Sequence, residues 1–404
     1  MRILALSSGT SVDSVDVALA EIGPAADPST LTLIPLGHLE VPWEEELRHQ
    51  ILAALPPAET GVGQWCDFDA QIGRAFAAAA LTGLQQLGPA DMVVSHGQTL
   101  FHRVVEGRVL GTLQVGQPAW IHTATGLPVI SDLRSTDVAA GGHGAPLVSV
   151  LDHLWFGDRP TAVLNIGGIA NLTLVGTDHV TTGDTGPGNC LIDAAAARTG
   201  HACDLGGARA AAGRVDHTAL EVLLGDPYYQ RPFPRSTGRE HFHADYVSQR
   251  LEDAGAPTPQ GDDLFATLTE LTARTIAQAV GPAERLVASG GGARNPTLLR
   301  RLAALAGPVS TTTEFGLDAD AKEAYLFALL GYLSAHGLPG TAPAAVDEPA
   351  GHRATGAPRP MVLGSLTPPA PGPPVDPQHH AETPITSLTI RKPEDTQQRS
   401  LDEP

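Results

Sequence analysis

Two short apolar runs, Ile3-Leu4-Ala5-Leu6 and Val17-Ala18-Leu19-Ala20, flank a polar stretch from Ser8 to Asp16 that holds Gly9. The pattern predicts strand, tight turn, strand. It returns at 161–175, where apolar runs flank Asn165, Gly167 and Gly168. This internal duplication predicts two similar lobes. Further short apolar runs at 31–34, 92–94, 128–132 and 286–289 predict strands. Helical spacing of apolar residues marks 44–55, 65–87, 118–125, 220–224, 246–252, 264–279 and 296–306. The polar residues Ser95-His96-Gly97-Gln98-Thr99 are expected at the carboxyl end of the 92–94 strand, where open α/β sheets place ligands. The stretch 134–146, with Gly141, Gly142 and Gly144, reads as too glycine-rich for a helix and as the crossing between lobes. The expected organisation is a lobe over 1–158, a second over 159–368, and a proline-rich tail over 369–404. The tail cannot bury enough apolar surface to order itself and is left out of the fold.

At 404 residues the chain exceeds the usual size of one core, which agrees with two lobes and a cleft between them. Its 44 acidic against 25 basic residues give a net charge of −19, which argues against nucleic acid or an anionic membrane as partner. Three cysteines, Cys66, Cys190 and Cys203, imply no disulfide framework and fit a reducing cytoplasm. The first apolar run is too short for a signal peptide, and no apolar stretch reaches membrane-spanning length.

Three turns carry candidate chemistry. The tip from Gly9 through Thr10, Ser11, Val12, Asp13, Ser14 and Val15 to Asp16 offers N–H groups, hydroxyls and carboxylates, the mixture that phosphate oxygens and a Mg²⁺ shell need. The second turn is Gly183-Asp184-Thr185-Gly186-Pro187-Gly188-Asn189, followed by a helix start at Cys190. Here Asp184 can remove a proton, and Gly186 and Gly188 allow close approach of a phosphate. The third, Gly290-Gly291-Gly292 with Asn295, suits the flat face of a purine because no side chain intrudes. Read singly, each has a plain alternative: a hairpin, a capping turn before a helix, a glycine turn. No GxxxxGK[ST] and no GxGxxG after the first strand occurs. His241 and His243 form an HxH pair without an evident further ligand set, so they are not read as a metal site.

The three turns, each after a strand, resemble the actin-like ATPase and sugar kinase superfamily, an α/β fold of two ribonuclease-H-like lobes. The resemblance is closer to the anhydro-N-acetylmuramic acid kinase family. It is carried by Ser8 to Asp13 with Asp16, Ser95 to Thr99, Asp132-Leu133-Arg134 with Asp137, Ala139 to Val148, Asp184 to Asn189, Ser236 to Glu240, Gly290 to Ala293 with Asn295-Pro296, and Glu323-Ala324. It covers about residues 1 to 368. The resemblance implies an ATP- and Mg²⁺-dependent, cytoplasmic, homodimeric enzyme. Such an enzyme opens the 1,6-anhydro bridge of anhydro-N-acetylmuramic acid with water and phosphorylates O6 in cell-wall recycling. It implies Asp184 as the base for water, and Asp13 as a holder of Mg²⁺ through water. ATP would be held by residues 9–16, Asn165, Gly167, Gly168, Gly186, Gly188, Asn189, Gly290, Gly291, Gly292 and Asn295. The sugar would be held by His96, Gln98, Arg134, Asp137 and Glu323, with Arg134 as the carboxylate clamp.

The chain departs from the family's usual pattern at a few positions. Ser14 stands where glycine is usual, and if that position needs φ > 0 its Cβ costs roughly 1–2 kcal/mol. Arg235 stands for a lysine, Ser135 and Thr136 for basic residues, and His143 for glutamine. The residues alone leave other readings open: a kinase of the same superfamily for another sugar or polyol, an ATP-binding switch of actin type, or a catalytically weakened paralogue.

Overall fold

A computed structural model describes residues 1–9, 12–55, 58–106, 108–176, 179–231, 233, 235–238, 241–281, 283–344, 353–367 and 385–392. The chain forms two compact units, Met1–Trp155 with Ala321–Pro404, and Phe156–Asp320.

In the first unit β1 (Arg2–Ser8), β2 (Ser14–Pro24) and β3 (Thr30–Pro42) form an antiparallel meander. On the other side of β1 lie β4 (Met92–Val105) and, next to it, β6 (Val129–Ser131), both parallel, while β5 (Arg108–Val115) folds back on the end of β4. Ile3, Leu4, Ala5 and Leu6 are wholly enclosed, because a central strand is covered on both faces and so reads as a continuous apolar run. Helix Val62–Leu87 supplies Phe68, Ile72 and Phe76 to the core beside Leu4 and Val17.

In the second unit β7 (Thr161–Ile166), β8 (Ile169–Val175), β9 (Val180–Pro187), β10 (Arg285–Ser289) and β11 (Val309–Thr311) lie in the order β11-β10-β7-β8-β9. Strand β8 is antiparallel to β7 and β9, whereas β10 and β11 run parallel to β7. The path β6-β4-β1-β2-β3 has the same order and directions. The duplicated strand-turn-strand pattern therefore reports a repeated ribonuclease-H-like sheet. Helix Gly261–Val280 covers the second sheet with Ala273, Ile276 and Val280. A separate aromatic cluster gathers Tyr228, Tyr229, Phe242 and Tyr246.

The chain then returns to the first unit. Helix Lys322–Ala335 is buried on nearly all sides, as a helix apolar all round must be. Strand β12 (Ser365–Thr367) pairs with β6, and β13 (Ser387–Ile390) runs parallel to β3.

Four expectations change. Residues 321–368, expected in the second lobe, belong to the first unit, held there by contacts distant in sequence. The crossings fall at 155/156 and 320/321, so 134–146 stays inside the first unit, where Ser135–Ala139 even forms a short helix. Within 369–404, which was left out of the fold, β13 is ordered with Leu388 buried; 368–384 and 393–404 lie outside the described residues. The run from Ser95 to Thr99 is not a strand end but the interior of β4, kinked at Gly97, whose φ is 70°.

Candidate active site

In the first unit the candidate residues gather around the tip between β1 and β2. Thr10 and Ser11 lie outside the described residues. Val12 N–H donates to Gly9 O at 3.1 Å, and Val12 sits at φ 54° with its side chain enclosed, a costly conformation for a β-branched residue that strained functional turns retain. Ser8 Oγ donates to Ser14 O at 2.8 Å and accepts from Trp43 Nε1, which fixes the base of the tip. Ser14 is the first residue of β2 and pairs with Pro42. It is not among the residues with positive φ, so the strain feared for a Cβ there falls on Val12 instead. Asp13 is largely exposed and pairs with Arg48 at 3.0 Å; Asp16 lies 3.6 Å from His38.

The sugar-side candidates divide. Gln98, fully enclosed, donates through Nε2 to Gly9 O at 3.2 Å, so β4 braces the tip. Arg134 donates from Nε to His96 Nε2 at 2.9 Å and from Nη1 to Gly144 O at 2.6 Å. Its Nη2 has no hydrogen-bond partner among the described residues. His96 is buried, stacks on Phe327 at 4.5 Å, and has Nδ1 3.1 Å from Gly97 O. These contacts assign the neutral tautomer with the proton on Nδ1, because Nε2 must accept from the guanidinium. Burial and the Arg134 charge push the His96 pKa well below its ordinary value. His96, expected at the sugar, thus holds Arg134. Glu323 keeps solvent exposure, yet the surrounding protein desolvates it. That desolvation raises its pKa, opposed by Arg134 and reinforced by Asp16.

Asp137, expected at the sugar, has both carboxylate oxygens engaged by the protein. It is wholly buried, its Oδ2 accepts from Gly144 N at 2.7 Å and its Oδ1 from Thr355 Oγ1 at 2.6 Å. A buried carboxylate with both oxygens engaged ties the 141–144 loop to the returning chain. Gly144 then connects Asp137 to Arg134.

In the second unit Asp184 lies near the end of β9, so 183–187 is strand rather than turn. Asp184 stands opposite Asn171 and Gly186 opposite Ala170, which makes Thr185 a bulge, a device that re-aims neighbouring side chains. Thr185, fully buried, anchors the bulge through Oγ1 to Ala170 O at 3.1 Å. The half-buried Asp184 carboxylate accepts at Oδ2 from Thr237 N at 2.9 Å and Ser236 Oγ at 3.2 Å. Its carbonyl accepts from Tyr228 Oη at 2.7 Å. Burial, with the Asp184 charge second, raises the Tyr228 pKa to about 12 and keeps that phenol a donor.

The two glycines after Asp184 serve packing. A Cβ on Gly186 would come within 2.9 Å of Tyr229 Cε1, and one on Gly188 within 2.2 Å of Gly167 O. The N–H groups of Gly188 and Cys190 donate to Gly168 O, and that of Asn189 to Gly167 O, while Asn189 Nδ2 donates to Ile166 O at 3.3 Å. These N–H groups therefore hold the β7–β8 tip, because the helix start packs directly upon it.

The triple glycine divides as well. Gly290 has φ 80°, and a Cβ there would lie 2.4 Å from Asn165 Oδ1, so strand β7 and the turn after β10 touch through glycine alone. Gly291 is exposed and begins a short 3₁₀ turn, Gly291–Arg294. Gly292 is buried against Ile166. Asn295 is the N-cap of helix Pro296–Ala306, its Oδ1 accepting from Thr297 N and Leu298 N at 3.1 and 3.0 Å. The cap gives this residue, expected at the nucleotide, a structural task of its own. Asn before Pro at a helix start is itself a capping signal.

Two features had no forecast. Lys322 and Asp152 form a buried ion pair at 2.5 Å in the first unit, with no short-range sequence signal because 170 positions separate them. Tyr228, also unforeseen, touches Asp184 from the aromatic cluster.

A profile of the anhydro-N-acetylmuramic acid kinase family matches residues 1–369. A relative of that name from Streptomyces avermitilis is 49% identical, covering 91% of this chain and 94% of its own. One from Streptomyces coelicolor is 50% identical over the same shares, and one from Rhodococcus erythropolis is 48% identical, again over 91% and 94%. With the motifs, the repeated sheet and the held aspartate, these likenesses show that the chain belongs to the anhydro-N-acetylmuramic acid kinase family.

Proposed function

We propose that this ATP-dependent kinase acts through Asp184 on 1,6-anhydro-N-acetylmuramic acid. Asp184 takes a proton from water as the water oxygen bonds to C1. The C1–O6 bond breaks with its electron pair on O6. O6 then bonds to the γ-phosphorus as the bond to the β-bridging oxygen breaks, giving N-acetylmuramic acid 6-phosphate and ADP for peptidoglycan recycling. The observation that carries this reading is the Asp184 carboxylate, set beside a strand bulge and oriented by Thr237 N–H and Ser236 Oγ, in a chain matched to the family along 1–369. A base must be aimed before it is useful, and phosphoryl transfer otherwise depends on positioning and charge neutralisation.

The first unit supplies the tip for β- and γ-phosphates, with Gln98 bracing Gly9. Arg134 presents Nη2 to the lactyl carboxylate, and Glu323 accepts from a sugar hydroxyl. In the second unit the Gly167–Gly168 tip and the Gly290–Gly291 turn, beside Asn165, take the nucleotide. Among the described residues no three His, Cys, Asp or Glu are grouped to hold a metal. Phosphate-bound Mg²⁺ usually keeps a shell of phosphate oxygens and water with one or two carboxylates; Asp13 and Asp16 are the carboxylates at hand. Bound Mg²⁺ would neutralise charge on the transferring phosphoryl group. No helix among the described residues is long and apolar enough to cross a membrane; a cytoplasmic homodimer rests on the family resemblance.

Incubation with ATP, Mg²⁺ and the anhydro sugar should yield ADP and the 6-phosphate in equal amounts by mass spectrometry. ADP release with other sugars and none with this one would overturn the substrate. Asp184→Asn should lower kcat by about 10²–10⁴-fold, the usual reach of a general base, while ATP still binds by calorimetry. An active variant would remove Asp184 from its role.

A further inference from the structure

Arg235 does more for Asp184 than its place outside the strand suggests. Its backbone carbonyl accepts the Asp184 N–H at 2.7 Å, so the segment 235–237 runs alongside the end of β9. Its guanidinium donates to five backbone carbonyls. Nε reaches Asp184 O at 3.4 Å and Nη2 reaches Thr185 O at 3.3 Å. Nη1 reaches Tyr229 O at 2.8 Å, Arg231 O at 2.9 Å and Tyr228 O at 3.4 Å. The guanidinium carbon also lies 4.8 Å from the Tyr228 ring centre. One side chain thereby fastens three pieces together: the strand end that carries Asp184, the turn Pro227–Gln230 that carries Tyr228, and the loop whose next two residues donate to the Asp184 carboxylate.

We propose that Arg235 is the positioning residue for Asp184, and that the guanidinium fork is what this chain uses in place of an ammonium. The proposal rests on Asp184 being the base. An ammonium offers three donors from one point, whereas the fork spreads five over three nitrogens, and here Nε, Nη1 and Nη2 each reach a different part of the surrounding backbone. Arg235 touches no substrate in this account. It acts through Asp184, whose carboxylate it aims by fixing Ser236 and Thr237.

The test separates positioning from folding. Arg235→Lys should keep the fold, measured by the thermal midpoint and circular dichroism, and lower kcat by about tenfold, since misplacement of a catalytic group by a fraction of an ångström to 1 Å carries penalties up to 10². The KM for ATP and for the anhydro sugar should each stay within about twofold, as losses confined to the transition state require. Arg235→Ala should lose more kcat than Arg235→Lys in the same assay. In an Asp184→Asn background, Arg235→Lys should cost nothing further, because the residues act as a unit. Wild-type kcat in Arg235→Lys with an inactive Asp184→Asn would overturn the positioning role and leave the base intact. Equal losses of kcat in both backgrounds would overturn it too. If Asp184→Asn itself stays active, the failure lies with the base.

Discussion

Ser14 is the residue at which family pattern and local geometry pull apart. As the first residue of β2, hydrogen-bonded through its carbonyl to Ser8 Oγ, it has no need of glycine's freedom. Ser14→Gly should therefore leave kcat and the ATP KM within about twofold and cost roughly 0.5–1 kcal/mol of stability, the entropic penalty of glycine in a strand. Steady-state kinetics with urea unfolding reads both. A tenfold gain in kcat would show instead that the hydroxymethyl group crowds the phosphate. The same lesson runs through the other site residues. What such residues do is hard to read from the chain alone, because a glycine needed for packing and one needed for a ligand look alike in a sequence. Gly188 and Gly292 pack and Asp137 braces a loop, which only partners brought from elsewhere in the chain reveal, whereas the cap by Asn295 is local and written in the Asn-Pro pair itself.

His96 carries a pH prediction at this scale. It is buried and neutral, with its pKa well below the ordinary 6.5. Below pH 6.5 the unfolded chain takes up a proton that the folded chain refuses. This contribution to stability is complete above that pH and is lost as pH falls, by at most about 1.4 kcal/mol per pH unit for one proton. Glu323, whose pKa is raised, acts in the opposite direction. The quantity to measure is therefore the difference between wild type and His96→Gln, whose amide oxygen can still accept from Arg134. Urea midpoints from pH 5 to 7.5 should converge as pH falls, and parallel curves would contradict the assignment.

Among the elements, helix Lys322–Ala335 joins the returning chain to the first sheet, and its first residue is the cation of the buried Asp152 pair. Removing Lys322 takes the cation away from a carboxylate in a desolvated site. Lys322→Ala should cost about 3–5 kcal/mol, while Lys322→Met with Asp152→Leu should recover most of it. Urea unfolding of the three proteins decides: a small loss in the single variant would mean that solvent reaches the pair. The helix also explains why the lobe boundary was misplaced. Its apolar run from Tyr325 to Leu330 reads as a buried helix anywhere, and nothing local states which sheet it covers. The strands behave differently. Apolar runs around polar turns recur at 3–20 and 161–175, and pairing between neighbours in sequence turned that recurrence into the same strand-turn-strand core in both sheets.

For the whole molecule, the last ordered strand has a structural task that its composition conceals. The free edge of β3 is met at its start by β13, with Thr386 N donating to Ser29 O at 2.8 Å, Arg391 N to Leu33 O at 3.1 Å, and Leu388 buried. Proline-rich surroundings made the region read as featureless; the four-residue run Ser387-Leu388-Thr389-Ile390 is too short to stand out without its partner. The pairing lies at Thr30 to Leu33, whereas the tip's neighbours Val41 and Pro42 close the far end of β3, about nine residues or some 30 Å along the strand. Removal of 368–404 should thus leave kcat and both KM values unchanged. It should lower the thermal midpoint by a few degrees, through loss of about 1.5–3 kcal/mol from Leu388 burial. It should also raise light scattering at high concentration, since a bare edge recruits other chains. A truncated protein with lower kcat and an unchanged midpoint would assign the segment to catalysis, and one matching the full chain in every measurement would deny β13 any role at the edge.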